Sequence, residues 1–294
     1  MAWDAVASSR KKQVIAPVAS ALPTQAPRRP QRAAAATAHL AWNAADQPEP
    51  DMVFEPERQP CEAAVIWLHG LDDRPEHWAS TLAPARKRRP HWKWIFVRAP
   101  ERRIACYGGM VHPAWGDFVD AGKVLVGSLD HESRDAHGWY AKSVAAVHAH
   151  VHELEKAGLP PGRIMMVGVS QGAALAAEAA LSLRCELAGW AMVSGWLMPR
   201  ARTALRRNPN APGARVLVCH GTADEQVDYG CAVLACKLLR EAGREVDFET
   251  FEGEQWPGRT GGQWADPPHL YPPHPILSNP ASSHTSPPHL ALFQ

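Results

Sequence analysis

A serine lies between two glycines where a strand-like run gives way to a helix-like one: Gly168-Val169-Ser170-Gln171-Gly172. Upstream, Arg163-Ile164-Met165-Met166-Val167 is a short apolar run with no polar face, the pattern of a strand buried on both sides of a parallel sheet. Downstream, 173–181 is rich in alanine and leucine, strong helix formers. A turn from strand to helix at a single residue is tight enough that side chains two positions either side of the serine would collide. Glycine at 168 and 172 removes them. Such a turn lifts the serine hydroxyl above the sheet edge and sets helix-start N–H groups beside it, the arrangement of a nucleophile elbow.

The chain around this elbow alternates strands and helices. Ala63 to Leu68, Trp92 to Val97, Leu187 to Val193, Arg215 to Cys219 and Val246 to Phe251 read as strands. Val144, Val147, Val151 and Leu154 step by three and four, one face of a helix between 135 and 158. Tyr229 to Glu241 reads as a second helix, with Gly243 at a natural C-cap position. This order predicts a mainly parallel sheet with helices on both faces, whose right-handed crossovers bring the strand C-termini to one edge. Three stretches reach that edge: His69-Gly70-Leu71, the Ser170 turn and His220-Gly221-Thr222-Ala223-Asp224. Ligands bind at such edges.

Composition sets limits. A chain of 294 residues with 46% hydrophobic residues holds one large α/β domain with tails. A net charge of +1 gives no general attraction to nucleic acid, and no apolar run reaches membrane-spanning length. The six cysteines include no C-x-x-C pair, which fits reduced, mostly buried thiols. Residues 1–55 form an extension in which Asp4 is the only acid before Asp46; it reads as a disordered or transit-like segment. The expected domain spans 56–253, and a proline-rich, low-complexity tail occupies 254–294.

The motifs resemble those of the acyl-protein thioesterase branch of the phospholipase/carboxylesterase family of α/β-hydrolases. Leu68-His69-Gly70-Leu71-Asp72-Asp73 is similar to its L-H-G-L-G-D, with Asp72 in place of a glycine. Gly168 to Gly172 is similar to its G-F-S-Q-G. Trp115-Gly116-Asp117, Ser194-Gly195-Trp196-Leu197 and Cys219-His220-Gly221-Thr222-Ala223-Asp224 match further phrases between about 60 and 253. The resemblance implies an α/β-hydrolase fold with disordered N- and C-terminal tails, Ser170 as nucleophile and Asp224 as the carboxylate that orients a general base. It also implies an oxyanion hole from the N–H groups of Leu71 and Gln171. Trp115 and Trp196 are the expected walls of an apolar acyl pocket. No cofactor and no metal are expected.

The resemblance breaks at one place. The family closes its triad with histidine in a phrase like Y-E-G-M-x-H. Here Phe251-Glu252-Gly253-Glu254-Gln255-Trp256 puts tryptophan at that position. Indole has no basic nitrogen and cannot take the serine proton. Nine prolines between 257 and 288 exclude the amphipathic helix the family carries next. The expected hydrolase domain is therefore truncated at its C-terminus, as a translated intron or an alternative 3′ exon would leave it. Substitute bases are His77, beside the oxyanion loop, and His269, His274, His284 and His289 in the tail. His148 and His152 are spaced for zinc, but no glutamate follows His148, so these histidines are expected to face solvent.

Three functions fit. One is a serine hydrolase of acyl thioesters and esters, S-palmitoylated proteins included. The second is a pseudoenzyme that binds lipid or acyl groups. The third is a small-ester carboxylesterase. The substrate would be an acylated protein or a lipid-like ester. Cytoplasm is the expected compartment, with plastid or mitochondrion as the alternative if the extension is a transit peptide.

Overall fold

The computed structural model describes residues 49–120, 123–207 and 214–252. Residues 1–48 of the expected extension, and Trp256 with the whole tail, lie outside them. The strands are β1 (Met52–Phe54), β2 (Ala63–Leu68), β3 (Trp92–Val97), β4 (Glu101–Ile104), β5 (Met110–Pro113), β6 (Ile164–Val169), β7 (Gly189–Val193), β8 (Arg215–Gly221) and β9 (Val246–Phe251). The helices are α1 (Pro75–Thr81), α2 (Ala83–Arg88), α3 (Trp139–Lys156), α4 (Gln171–Ser182), α5 (Pro199–Arg207) and α6 (Tyr229–Glu241).

Seven strands form one sheet in the order β1-β3-β2-β6-β7-β8-β9, parallel except for β1, which runs antiparallel along β3. β4 and β5 form a separate antiparallel hairpin. β1 falls inside the extension expected over 1–55, so ordered chain starts earlier than composition suggests. Asp51 explains why: it accepts the Arg98 N–H (2.7 Å) and meets His150 Nε2 (3.0 Å), tying the start of the domain to α3. Burial by itself would raise the Asp51 carboxyl, but bonds from His150 and Arg98 outweigh it and hold the group below its ordinary value.

Each central strand divides its side chains between two layers, as the period of two requires. Ala64, Ile66, Leu68, Ile164, Met166, Val216 and Val218 point to a core shared with α3, α4 and α6. Val65, Trp67, Met165, Val167, Leu217 and Cys219 point to the other, where Trp78, Ala79, Leu82 and Ala85 of the α1–α2 segment pack. Both faces are buried, which is why the strands read as unbroken apolar runs. A fully buried Leu, Val or Met contributes about 1.5–3 kcal/mol, so this two-sided burial is the main source of the sheet's stability.

The histidines of α3 do not all face solvent as expected. His148 Nε2 lies 2.9 Å from the Ala179 carbonyl of α4, and His150 holds Asp51; only His152 is exposed. Among the described residues no group of His, Cys, Asp and Glu could hold a metal ion, and no helix is long and apolar enough to cross a membrane. Of the six cysteines, Cys219, Cys231 and Cys236 are buried and the other three are partly exposed.

Candidate active site

The order of strands fixes the site. From β2 the chain moves outward to β3, and later returns to β2's other side with β6. That reversal is the switch point of an open α/β sheet, where a crevice forms outside the strand C-termini. Leu68 pairs opposite Gly168, so the loop after β2 and the turn after β6 leave the sheet side by side.

Ser170 has φ 53° and ψ −119°, a backbone that non-glycine residues rarely hold. Its N–H donates to the Val193 carbonyl of β7 (2.8 Å), and its own carbonyl accepts the N–H groups of Ala173 and Ala174. The flanking glycines are sterically required. A Cβ on Gly168 would lie 2.1 Å from the Gly172 oxygen, and one on Gly172 would lie 2.3 Å from the Leu68 oxygen. A Cβ on Gly70 would sit 3.5 Å from the Ser170 Cβ, so the β2 loop borders the serine directly. Among the described residues neither the Leu71 N–H nor the Gln171 N–H has a backbone acceptor.

The Gln171 side chain does work that sequence reading missed. It is fully buried; its Oε1 accepts the Trp115 N–H (2.8 Å) and its Nε2 donates to the Gly116 carbonyl (3.1 Å). Gly116 must be glycine, because a Cβ there would enter the Tyr140 ring at 2.1 Å. Trp115 Nε1 in turn donates to the His69 carbonyl (2.7 Å). His69 is neutral: burial lowers its pKa, and its Nε2 accepts the Ala99 N–H (3.1 Å).

Asp224 is buried at the end of the β8 loop. Its Oδ1 accepts the N–H groups of Gln226 (2.8 Å) and Val227 (2.9 Å). Its Oδ2 lies 3.6 Å from His220 Nε2. His220 itself is unsuited to be a base: Nε2 donates to the Val227 carbonyl (2.9 Å), and burial lowers its pKa. β6 and β8 are separated by β7 alone, so the Ser170 turn and the Asp224 loop leave the same sheet edge with one strand between them. His77 lies elsewhere, exposed, with Nδ1 3.0 Å from Asp73 Oδ1. Trp256 and the four tail histidines are outside the described residues.

Trp115 and Trp196 are 1% and 0% exposed and sit in the core. The Trp196 indole donates to the Asp130 carbonyl (3.2 Å). Neither tryptophan lines the cavity of about 430 Å³ that opens nearby, whose wall mixes Val119, Leu129 and Tyr140 with the charged Glu132, Arg134 and Asp135. Tyr140, one of its lining residues, packs on Gly116, whose carbonyl accepts the Gln171 side chain, so the cavity wall connects to the nucleophile turn. No sequence motif signalled it, because its lining comes from an irregular loop.

Asp130 braces that loop by accepting the N–H groups of Val119 (2.9 Å) and Asp120 (2.6 Å). Burial, aided by the charges of Asp120 and Asp117 and only partly offset by those bonds, pushes its carboxyl up to about 6. The folded pKa exceeds the unfolded one, so this group's contribution is fully present below about pH 4 and is lost as pH rises through about 6. Asp130→Asn, which does not titrate, should gain stability relative to the parent between pH 4.5 and 7. Urea midpoints of both proteins across that range check this; parallel profiles would contradict it.

A model of the phospholipase/carboxylesterase family matches residues 50–257. The chain is 30% identical over 197 residues to a rice (Oryza sativa subsp. japonica) protein named "Probable inactive carboxylesterase", an alignment covering 66% of this chain and 78% of that one. It is 31% identical over 200 residues to acyl-protein thioesterase 1 of Neurospora crassa, covering 65% and 78%. Among solved structures, Arabidopsis thaliana SOBER1 superposes with a TM-score of 0.59 at 27% identity, over 66% of this chain and 90% of that one. Match, fold and elbow agree that this chain belongs to the phospholipase/carboxylesterase family of α/β-hydrolases.

Proposed function

We propose that this chain is a serine hydrolase of acyl thioesters and esters, acyl-protein thioesterase-like, whose proton-transfer step is impaired. The backbone of Ser170 carries the reading: a strained serine at a glycine-flanked elbow, next to the Leu71 and Gln171 N–H groups, which have no backbone acceptor among the described residues. The Ser170 Oγ attacks the carbonyl carbon and loses its proton to a base. The tetrahedral oxyanion is held by the N–H groups of Leu71 and Gln171, worth about 3 kcal/mol each. The thiol or alcohol leaves with a proton, and water then releases the acid from the acyl-enzyme. Asp224 is poised to orient an imidazole, and Trp256 cannot supply one.

The cavity beside Tyr140 is the site for the acyl chain, with Trp115 and Trp196 as its rigid backing rather than its contact surface. A volume of about 430 Å³ lies within the usual range for small-molecule sites. The substrate is an acylated protein or lipid-like ester, with no nucleic acid involved, and the compartment is the cytoplasm unless residues 1–55 direct import.

A second reading is favoured by Trp256 and by the relative named as inactive: a pseudoenzyme that binds acyl groups without turning them over. A fluorophosphonate probe separates the two, because it labels only an activated serine. Rates on p-nitrophenyl esters of rising chain length then separate a long-chain thioesterase from a small-ester carboxylesterase. Labelling at Ser170 with a preference for long chains is expected. Absence of labelling, with acyl ligands still bound, would establish the pseudoenzyme.

A further inference from the structure

Asp72 directly follows Leu71 and has φ 58°, a left-handed backbone that glycine adopts freely. The family phrase has glycine at this place, so the carboxylate is a departure of this chain. Its oxygen has a partner. Asp72 Oδ1 lies 2.8 Å from His112 Nδ1 on β5, and the Asp72 N–H donates to the carbonyl of the next β5 residue, Pro113 (3.0 Å). The His112 Nε2 is shielded from solvent and has no partner among the described residues. Facing a carboxylate oxygen, His112 Nδ1 is the donor and Asp72 the acceptor.

The same strand end reaches the other donor. Two residues past Pro113, the Trp115 N–H is bonded to the Gln171 side chain (2.8 Å). Leu71 is also held from the far side, where Asp73 accepts the Trp78 indole N–H (2.6 Å) and the Arg74 N–H (2.8 Å). The peptide that presents the Leu71 N–H is thus fastened to β5 through Asp72 and to α1 through Asp73.

We infer that Asp72 and His112 are positioning residues of the oxyanion hole: through β5 they fix the Leu71 N–H relative to the Gln171 N–H. The inference rests on Ser170 being the nucleophile of the proposed reaction. A carboxylate at a position suited to glycine is explained by this second anchor, which a glycine could not make.

The test uses the full chain and the variants Asp72→Gly, His112→Ala, Asp72→Asn and Ser170→Ala. Amide hydrogen exchange is followed over residues 70–73, with kcat and KM on p-nitrophenyl butyrate. Asp72→Gly and His112→Ala should speed exchange at the Asp72 amide at least tenfold. They should lower kcat about tenfold with KM within twofold, a fraction of the 10²–10³ lost when an oxyanion donor is removed outright. Asp72→Asn should stay near the parent in both, because its amide oxygen accepts the same Nδ1–H. Exchange identical in the parent, Asp72→Gly and His112→Ala overturns the inference whatever the activity. Equal hydrolysis by the parent and Ser170→Ala would instead sink the nucleophile assignment, and the exchange data would still decide the pair.

Discussion

Replacing everything after Gly253 with a histidine-bearing family ending should raise hydrolysis by two orders of magnitude or more, since a positioned general base contributes typically ~10²- to 10⁴-fold. The proposed nucleophile and carboxylate are both held rigidly. Ser170 holds its elbow backbone, and Asp224 spends Oδ1 on two backbone N–H groups. The chain also leaves β9 in the right neighbourhood. The Phe251 carbonyl accepts the N–H of Thr222 (3.0 Å), which lies two residues before Asp224 in the adjoining loop. Five extended residues span up to ~17 Å, so a histidine at 256 can return from the end of β9 toward the neighbouring Asp224 loop. Trp256→His alone should recover much less. Pro257 follows at once and fixes the local backbone, and the base must come within ~3 Å of the serine oxygen. Long-chain thioesterase rates in the parent, the single variant and the graft decide the matter. Equal rates in parent and graft would show that the base was not lost at 256.

Ser170→Ala should abolish hydrolysis in the graft, down to the residue of roughly 10³- to 10⁴-fold over water that an oxyanion hole and binding still provide in serine proteases. The loss falls on chemistry and not on folding, because alanine meets the same steric demands at the elbow and the Ser170 hydroxyl makes no hydrogen bond among the described residues. Thermal midpoints within a few degrees of the parent are expected. Asp224→Asn provides the internal control. In the parent, which has no histidine at 256 to orient, it should cost less than Ser170→Ala. In the graft its cost should rise toward that of the serine change, since the wrong tautomer of the base is then favoured. An Asp224→Asn effect as large as the serine effect in the parent would mean that a working base already exists in the chain.

Much of this fold can be read from local pattern. The two-sided burial of β2, β6, β7 and β8 appears in the sequence as apolar runs, because both sheet faces exclude water. α6 and β9 fall over the residues their periodicity indicates. The elbow is legible because its geometry admits only glycine at 168 and 172, so steric necessity leaves a mark on the sequence itself. The change at 256 is equally plain, since tryptophan carries no basic nitrogen.

Other features carry no local mark. β1 is three residues long and becomes a strand only by pairing with β3. The β4–β5 hairpin has Arg102 and Arg103 in β4 and exposed Met110 and Val111 in β5, so no alternation declares it. The cavity beside Tyr140 is assembled from an irregular loop against α3, and the Asp72–His112 contact joins residues 40 apart. Sequence alone determined which residues are chemically able to act: Ser170, Asp224 and a tryptophan that cannot serve as base. Only the tertiary structure decided how they are held. Register and strand order, not residue type, set Leu68 beside Gly168, so that the Leu71 loop and the Ser170 turn leave the sheet side by side, and bring Trp115, two residues past β5, onto the Gln171 side chain. Contacts between distant segments depend on packing that no short window of sequence encodes.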